Sequence, residues 1–141
     1  MTGYLLDTDI VSSLYRATAP LSLIRRLENV PAETCFVSSV TIGEMLGGAM
    51  ALVRKEESLS YGTRGHALLT TLVSHFRQYQ ILLYDDDAKV IFEGMSAAVK
   101  RNGRADCEIA ATALHNGLTV VTRNLRHFRA IPDVVCEDWA N

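Results

Sequence analysis

Apolar residues fall along the chain in two rhythms. Short β-favouring runs occur at 4–6 ("YLL"), 34–39 ("TCFVSS"), 81–84 ("ILLY") and 118–122 ("LTVVT"), and "DVVCED" at 133–138 predicts a fifth. Between them lie stretches whose apolar positions recur every three or four residues. A helix is expected from about Ile10, another over 21–29 that stops before Pro31, and a long one over 40–57 with Met45, Leu46, Ala49, Leu52 and Val53 on one side. After a break at 58–65 the pattern is helical over 67–79. A further helix opens at Asp85-Asp86-Asp87 and runs towards Val99, ending before Asn102-Gly103. The alanine-rich stretch 105–115 closes on Asn116-Gly117, a left-handed cap.

Strands separated by helices in this order predict an α/β fold, a mostly parallel sheet with helices on both faces. In such sheets ligands bind beyond the carboxyl ends of the strands. The residues leaving those ends are Asp7, Thr8 and Asp9; Ser38 and Ser39; Asp85 to Asp87; and Thr122, Arg123 and Asn124.

Size and composition fit one soluble globular domain spanning 1–141. The 141 residues are 48% hydrophobic and 21% charged. No run approaches the ~20 apolar residues a membrane span needs, and no basic region precedes a long apolar one. Cytoplasmic residence without a membrane is the expectation. Cys35, Cys107 and Cys136 have neither disulfide nor zinc spacing and read as small buried hydrophobes. The four histidines, 66, 75, 115 and 127, are scattered and read as structural or surface residues. The net charge of −2 does not advertise a nucleic-acid binder. Yet Lys100, Arg101, Arg104, Arg123, Arg126 and Arg129 crowd the C-terminal third, opposed there only by Asp106 and Glu108.

Three acids stand out. Asp7 leaves the first strand at the rim where a site belongs. A helix cap needs one acid, and Asp9, nearer the helix, fits it better, so local structure leaves Asp7 unexplained. Glu44 sits beside Gly47 and Gly48 in a helix, where each glycine costs about 1 kcal/mol against alanine. Close approach of a backbone or a ligand would repay that; a solvated glutamate is the other reading. Asp106 opens its helix, where an acid suits the dipole, but it also shares a face with Ala110 and Ala113. Asp85 to Asp87 read as capping and solvation. Clustered carboxylates repel one another unless a cation neutralises them. Oxygen ligands suit Mg²⁺ or Mn²⁺, and such an ion can activate water against a phosphodiester. The basic residues nearby then suit a nucleic-acid backbone.

"YLLDTDIVSSL", "SSVTIGEMLGGA", "GRADCEIAATALHNGLTVVTRNLRHF" and "IPDVVCEDW" together resemble, in order and spacing, the PIN-domain ribonucleases of bacterial toxin–antitoxin modules, the VapC type. The resemblance implies a three-layer α/β/α sandwich around a central parallel sheet of four to five strands. It implies Mg²⁺- or Mn²⁺-dependent endonucleolytic cleavage of RNA by a metal-activated water. Asp7, Glu44 and Asp106 match the family's characteristic acids as catalytic residues and metal ligands. Asn124 stands at the fourth catalytic position, where many members carry Asp. Asp9 replaces the usual Asn and would cap the helix or restore the missing charge, and Thr122 would orient the site through its hydroxyl. Arg104, Arg123 and Arg126 are the candidate RNA contacts. The resemblance also implies a cognate antitoxin seated on the early helices, together with homodimers and toxin–antitoxin hetero-oligomers. A PIN module that binds RNA or a partner without cleaving is the alternative, resting on Asn124. A phosphoacceptor receiver domain fits poorly, because Thr8 splits the acids after the first strand and no Lys follows "DVVCED".

Overall fold

The computed structural model describes residues 3–141; residues 1 and 2 of the expected 1–141 domain lie outside the described residues. The elements run β1 (Tyr4–Leu6), α1 (Thr8–Tyr15), α2 (Leu21–Glu28), one 3₁₀ turn (Ala32–Thr34), β2 (Cys35–Ser38), α3 (Ser39–Ser58), α4 (Arg64–Phe76), β3 (Gln80–Leu82), α5 (Asp86–Glu93), α6 (Ala97–Lys100), α7 (Arg104–Asn116), β4 (Thr119–Val121), α8 (Leu125–Arg129) and β5 (Cys136–Glu137).

The sheet order is β3-β2-β1-β4-β5 and every pairing is parallel. Alternation decides the layers. Leu5 and Val120 face one core with Ile109, Ala110, Ala113 and Phe128. Their neighbours Leu6 and Val121 face the other with Ile10, Leu23, Val37, Leu72 and Trp139. Burial on both faces is what a central parallel strand requires. The expected α/β/α sandwich is therefore present. Going outward from β1 the chain adds β2 and β3 on one side, then returns to add β4 and β5 on the other. The strand order reverses at β1/β4, which is where such sheets open a binding crevice.

Local details depart from the sequence pattern for identifiable reasons. The helix expected over 67–79 begins at Arg64, because its cap comes from another helix. Thr63 makes no capping bond. Instead the buried Glu56 carboxylate of α3 accepts from the backbone N–H groups of Arg64 (3.2 Å) and Gly65 (2.6 Å). Gly65 lets α4 press on α3, since a Cβ there would meet Val53 N at 2.5 Å. Gly47 and Gly48 show the opposite: a Cβ on either meets nothing within 4 Å, so no backbone approach repays their cost. The single helix expected from Asp85 to Val99 is two. α5 stops at Gly94, and Ser96 caps α6 by accepting from Val99 N. α8 was not anticipated. Gly117 closes α7 with a left-handed φ of +64°, as Asn116-Gly117 predicts. Cys107 is buried, while Cys35 and Cys136 are only half-buried; all three are free.

Candidate active site

β1 delivers Asp7 into the crevice. Its backbone N–H continues the β1–β4 ladder by donating to Val121 O (3.0 Å). Its side chain then serves two elements at once. Oδ1 accepts from Ile10 N (2.9 Å) and caps α1, while Oδ2 accepts from the Thr122 hydroxyl (2.5 Å). The expectation that Asp9 caps this helix is corrected: Asp7 has the extended backbone of a cap residue, whereas Asp9 already lies in the first turn and is exposed. Thr122 is in turn fixed by Asn124, whose N–H donates to the Thr122 hydroxyl (2.8 Å).

Asp7 is 3% exposed. Burial lifts its carboxyl from an ordinary 3.8 to about 6, against the lowering pull of the Thr122 and Ile10 hydrogen bonds; the neighbouring charges of Asp9 and Asp106 push the same way as burial. Asp106, in the first turn of α7, is also raised, first by burial and then by Asp9, and is lowered by His127. Asp7, Asp9 and Asp106 thus feel one another across the β1/β4 crevice.

Glu44 is held differently. It is exposed on α3, and its carboxylate accepts from the Thr8 hydroxyl (2.6 Å). That hydroxyl has one proton to give, so the 2.9 Å bond between Thr8 and Thr41 runs from Thr41 to Thr8. Thr8, next to Asp7, links Glu44 to the crevice. Asp7, Glu44 and Asp106 do not converge as one tight triad. Among the described residues the one set of three His, Cys, Asp or Glu donors within 4.8 Å of each other is Asp85, Asp87 and His115, at the start of α5 and the end of α7. There Asp85 also caps α5 through Ala88 N, as its sequence reading implied.

Of the remaining candidates, Arg123 and Arg126 are exposed beside the crevice-facing end of β4. Arg104 is engaged elsewhere: it pairs with Glu108 (3.4 Å) and lies over the Phe92 ring (5.0 Å). Two residues apart on one helix, Arg104 and Asp106 project about 200° apart. Sequence reasoning missed His127, whose Nδ1 lies 3.4 Å from Asp106 Oδ2, and Thr8. Nothing in linear spacing ties His127 to an acid 21 positions earlier; the short helix that carries it had to be seen. Beside Thr8 and Glu44 a groove of about 370 Å³ opens between α1, α3 and α4, lined by Ser12, Tyr15, Met45 and Leu68 among others.

The donor set suits a hard divalent cation. It is made of carboxylate oxygens, and the charges that act on Asp7 are themselves negative, so a cation relieves both the burial and the repulsion. No helix among the described residues is long and apolar enough to cross a membrane.

The PIN domain profile matches residues 4–134. The ribonuclease VapC2 of Haemophilus influenzae is 30% identical over 143 aligned positions, covering 99% of both chains. The tRNA(fMet)-specific endonuclease VapC of Salmonella typhimurium is 29% identical, also over 99% of both. The DNA-bound VapBC complex from Salmonella typhimurium superposes with a TM-score of 0.77 at 28% identity over 99% of each chain. The order of elements, the acids at the β1/β4 crevice and these likenesses agree: the chain belongs to the PIN-domain family, among its VapC-type ribonucleases.

Proposed function

We propose that this protein is the toxin of a type II toxin–antitoxin pair, a single PIN domain that hydrolyses RNA phosphodiester bonds in the cytoplasm with the help of Mg²⁺ or Mn²⁺. The observation that supports the reading is that Asp7 and Asp106, from segments far apart in sequence, both lie at the switch-point end of the sheet, close enough for the charge of Asp106 to raise the Asp7 carboxyl. Asp7 and Asp106 would hold the cation, with Glu44 contributing from the Thr8 side and Asp9 adding charge. A bound divalent ion there supplies a water of lowered pKa and offsets charge developing on the phosphodiester.

The chain's own residues set the stage for that chemistry. Thr122 fixes the rotamer of Asp7, so one carboxylate oxygen keeps its direction while the other holds α1. Thr8 orients Glu44. Asn124, whose backbone N–H holds the Thr122 hydroxyl, would offer a neutral amide there, able to orient water without adding charge. Arg123 and Arg126 supply mobile positive charge for the RNA backbone, whose contribution weakens with salt.

Several solved relatives are complexes of a toxin with its antitoxin, the VapBC complex of Salmonella typhimurium among them, which supports an antitoxin partner and a hetero-oligomer for this chain. The groove beside Glu44 is the seat we assign to that partner, within an assembly built on a toxin homodimer. The test is cleavage of tRNA and total RNA with Mg²⁺ or Mn²⁺, with fragment 5′ ends sequenced. Asp106→Ala should keep the parent's circular dichroism and lose cleavage, and EDTA should silence the parent. An Asp106→Ala protein that cuts as fast as the parent refutes the site.

A further inference from the structure

We propose that His127 donates a ring nitrogen to the metal held at Asp106, and that this donor tilts the site from Mg²⁺ towards Mn²⁺. The inference rests on the metal-dependent reading above and adds a ligand to it.

Geometry is the first support. His127 Nδ1 and Asp106 Oδ2 are 3.4 Å apart. That is long for an N–H···O hydrogen bond, which spans about 2.7–3.2 Å. Two neighbouring ligands of one octahedral ion, each about 2.1 Å from it, stand about 3.0 Å apart. A ring shift of a few tenths of an ångström closes the difference. The imidazole, at 45% side-chain exposure, has room to make it.

The mounting of the ring is the second. α8 is anchored by Phe128, which is fully buried. Asn124 O accepts from the backbone N–H groups of His127 (3.1 Å) and Phe128 (3.4 Å). Asn124 N is bonded to the Thr122 hydroxyl, and that hydroxyl donates to Asp7. One strand end therefore grips Asp7 and suspends His127 opposite Asp106. The imidazole is part of the crevice, not a stray surface ring.

Donor chemistry is the third. Mg²⁺ demands oxygen ligands and gives up its waters reluctantly. Imidazole suits transition ions such as Zn²⁺ and Fe²⁺ best; Mn²⁺ shares the oxygen preference of Mg²⁺ but, as a transition ion, accepts nitrogen more readily. Exchanging one oxygen position for nitrogen therefore penalises Mg²⁺ relative to Mn²⁺.

Pulsed electron paramagnetic resonance on the Mn²⁺-loaded protein reads the ligand directly, without an activity assay. The parent should show ¹⁴N modulation from an imidazole, and His127→Gln should lose it. Calorimetry should show Mn²⁺ binding weakened about tenfold in His127→Gln with Mg²⁺ binding changed less than about twofold, which lowers the Mn²⁺/Mg²⁺ preference about tenfold. His115→Gln runs alongside, because Asp85, Asp87 and His115 form a separate donor group. Modulation that is absent in the parent, survives His127→Gln, or disappears only with His115→Gln overturns the proposal. Equal weakening of both ions also overturns it, since His127 would then act only by placing Asp106. A parent that binds neither ion removes the metal-dependent reading itself, whereas binding lost with Asp7→Asn but indifferent to His127 removes only the extra ligand.

Discussion

Replacing Asp7 with Asn should make the metal-free protein more stable at neutral pH. Asn caps a helix about as well as Asp, so the bond to Ile10 N survives. The amide nitrogen can donate to the Thr122 hydroxyl in place of the bond the carboxylate accepts. What disappears is a buried charge. The folded carboxyl titrates at about 6 against 3.8 for an ordinary one, so the folded state keeps its proton to higher pH than the unfolded chain. Stability is therefore favoured at low pH and falls as pH rises between about 4 and 6, after which the cost is fully present. At 1.36 kcal/mol per pH unit that interval is worth about 3 kcal/mol. For 141 residues the unfolding entropy is about 0.3 kcal/mol/K, which converts the difference to about 10 °C in Tm. Thermal melts in EDTA at pH 4 and pH 7.5 are the assay. The variant should match the parent at pH 4 and exceed it by about 10 °C at pH 7.5. A Tm difference that is the same at both pH values refutes the assignment of a buried, unpaired charge to Asp7.

Thr8→Val removes the hydroxyl that holds Glu44 without touching Asp7. RNA cleavage should fall about tenfold, one lost hydrogen bond to a charged group being worth about 1.5 kcal/mol or more, with Tm changed by only a few degrees. Gly65→Ala should cost several kcal/mol in urea unfolding, because its Cβ meets backbone at Val53 and cannot be accommodated by a rotamer change. Gly47→Ala and Gly48→Ala should each add up to about 1 kcal/mol, since both face open space on a helix; a loss of stability in either would show that the glycines have a packing role after all.

The chain's periodicity carried the layered architecture, and it did so for physical reasons. Leu5-Leu6 and Val120-Val121 are buried on both faces, and only the middle of a parallel sheet does that. Gly117 could be read as a cap because a left-handed turn has a chemical signature. Three features had no such signature. The cap of α4 is Glu56, eight and nine residues before the N–H groups it serves, so no local motif marks it. The division of labour between Asp7 and Asp9 depended on where α1 starts, at Thr8 rather than about Ile10, a matter of two residues. His127 became part of the crevice only through α8, five residues long and too short to show a helical period. The acids were legible as residue types at strand ends. Their partners, Thr8 for Glu44 and His127 for Asp106, were not, because those contacts are made in space between segments that the sequence keeps apart.

The bond between Thr122 and Asp7 spans 115 positions of the chain. A ribosome adding roughly 5–20 residues per second needs about 6–23 seconds to travel from one to the other. Throughout that time the first acid already exists, but the strand that sheathes it and the hydroxyl that aims it do not. A fragment ending short of Thr122 has carboxylates without a crevice. Translation itself therefore sets when the surroundings of Asp7 are completed.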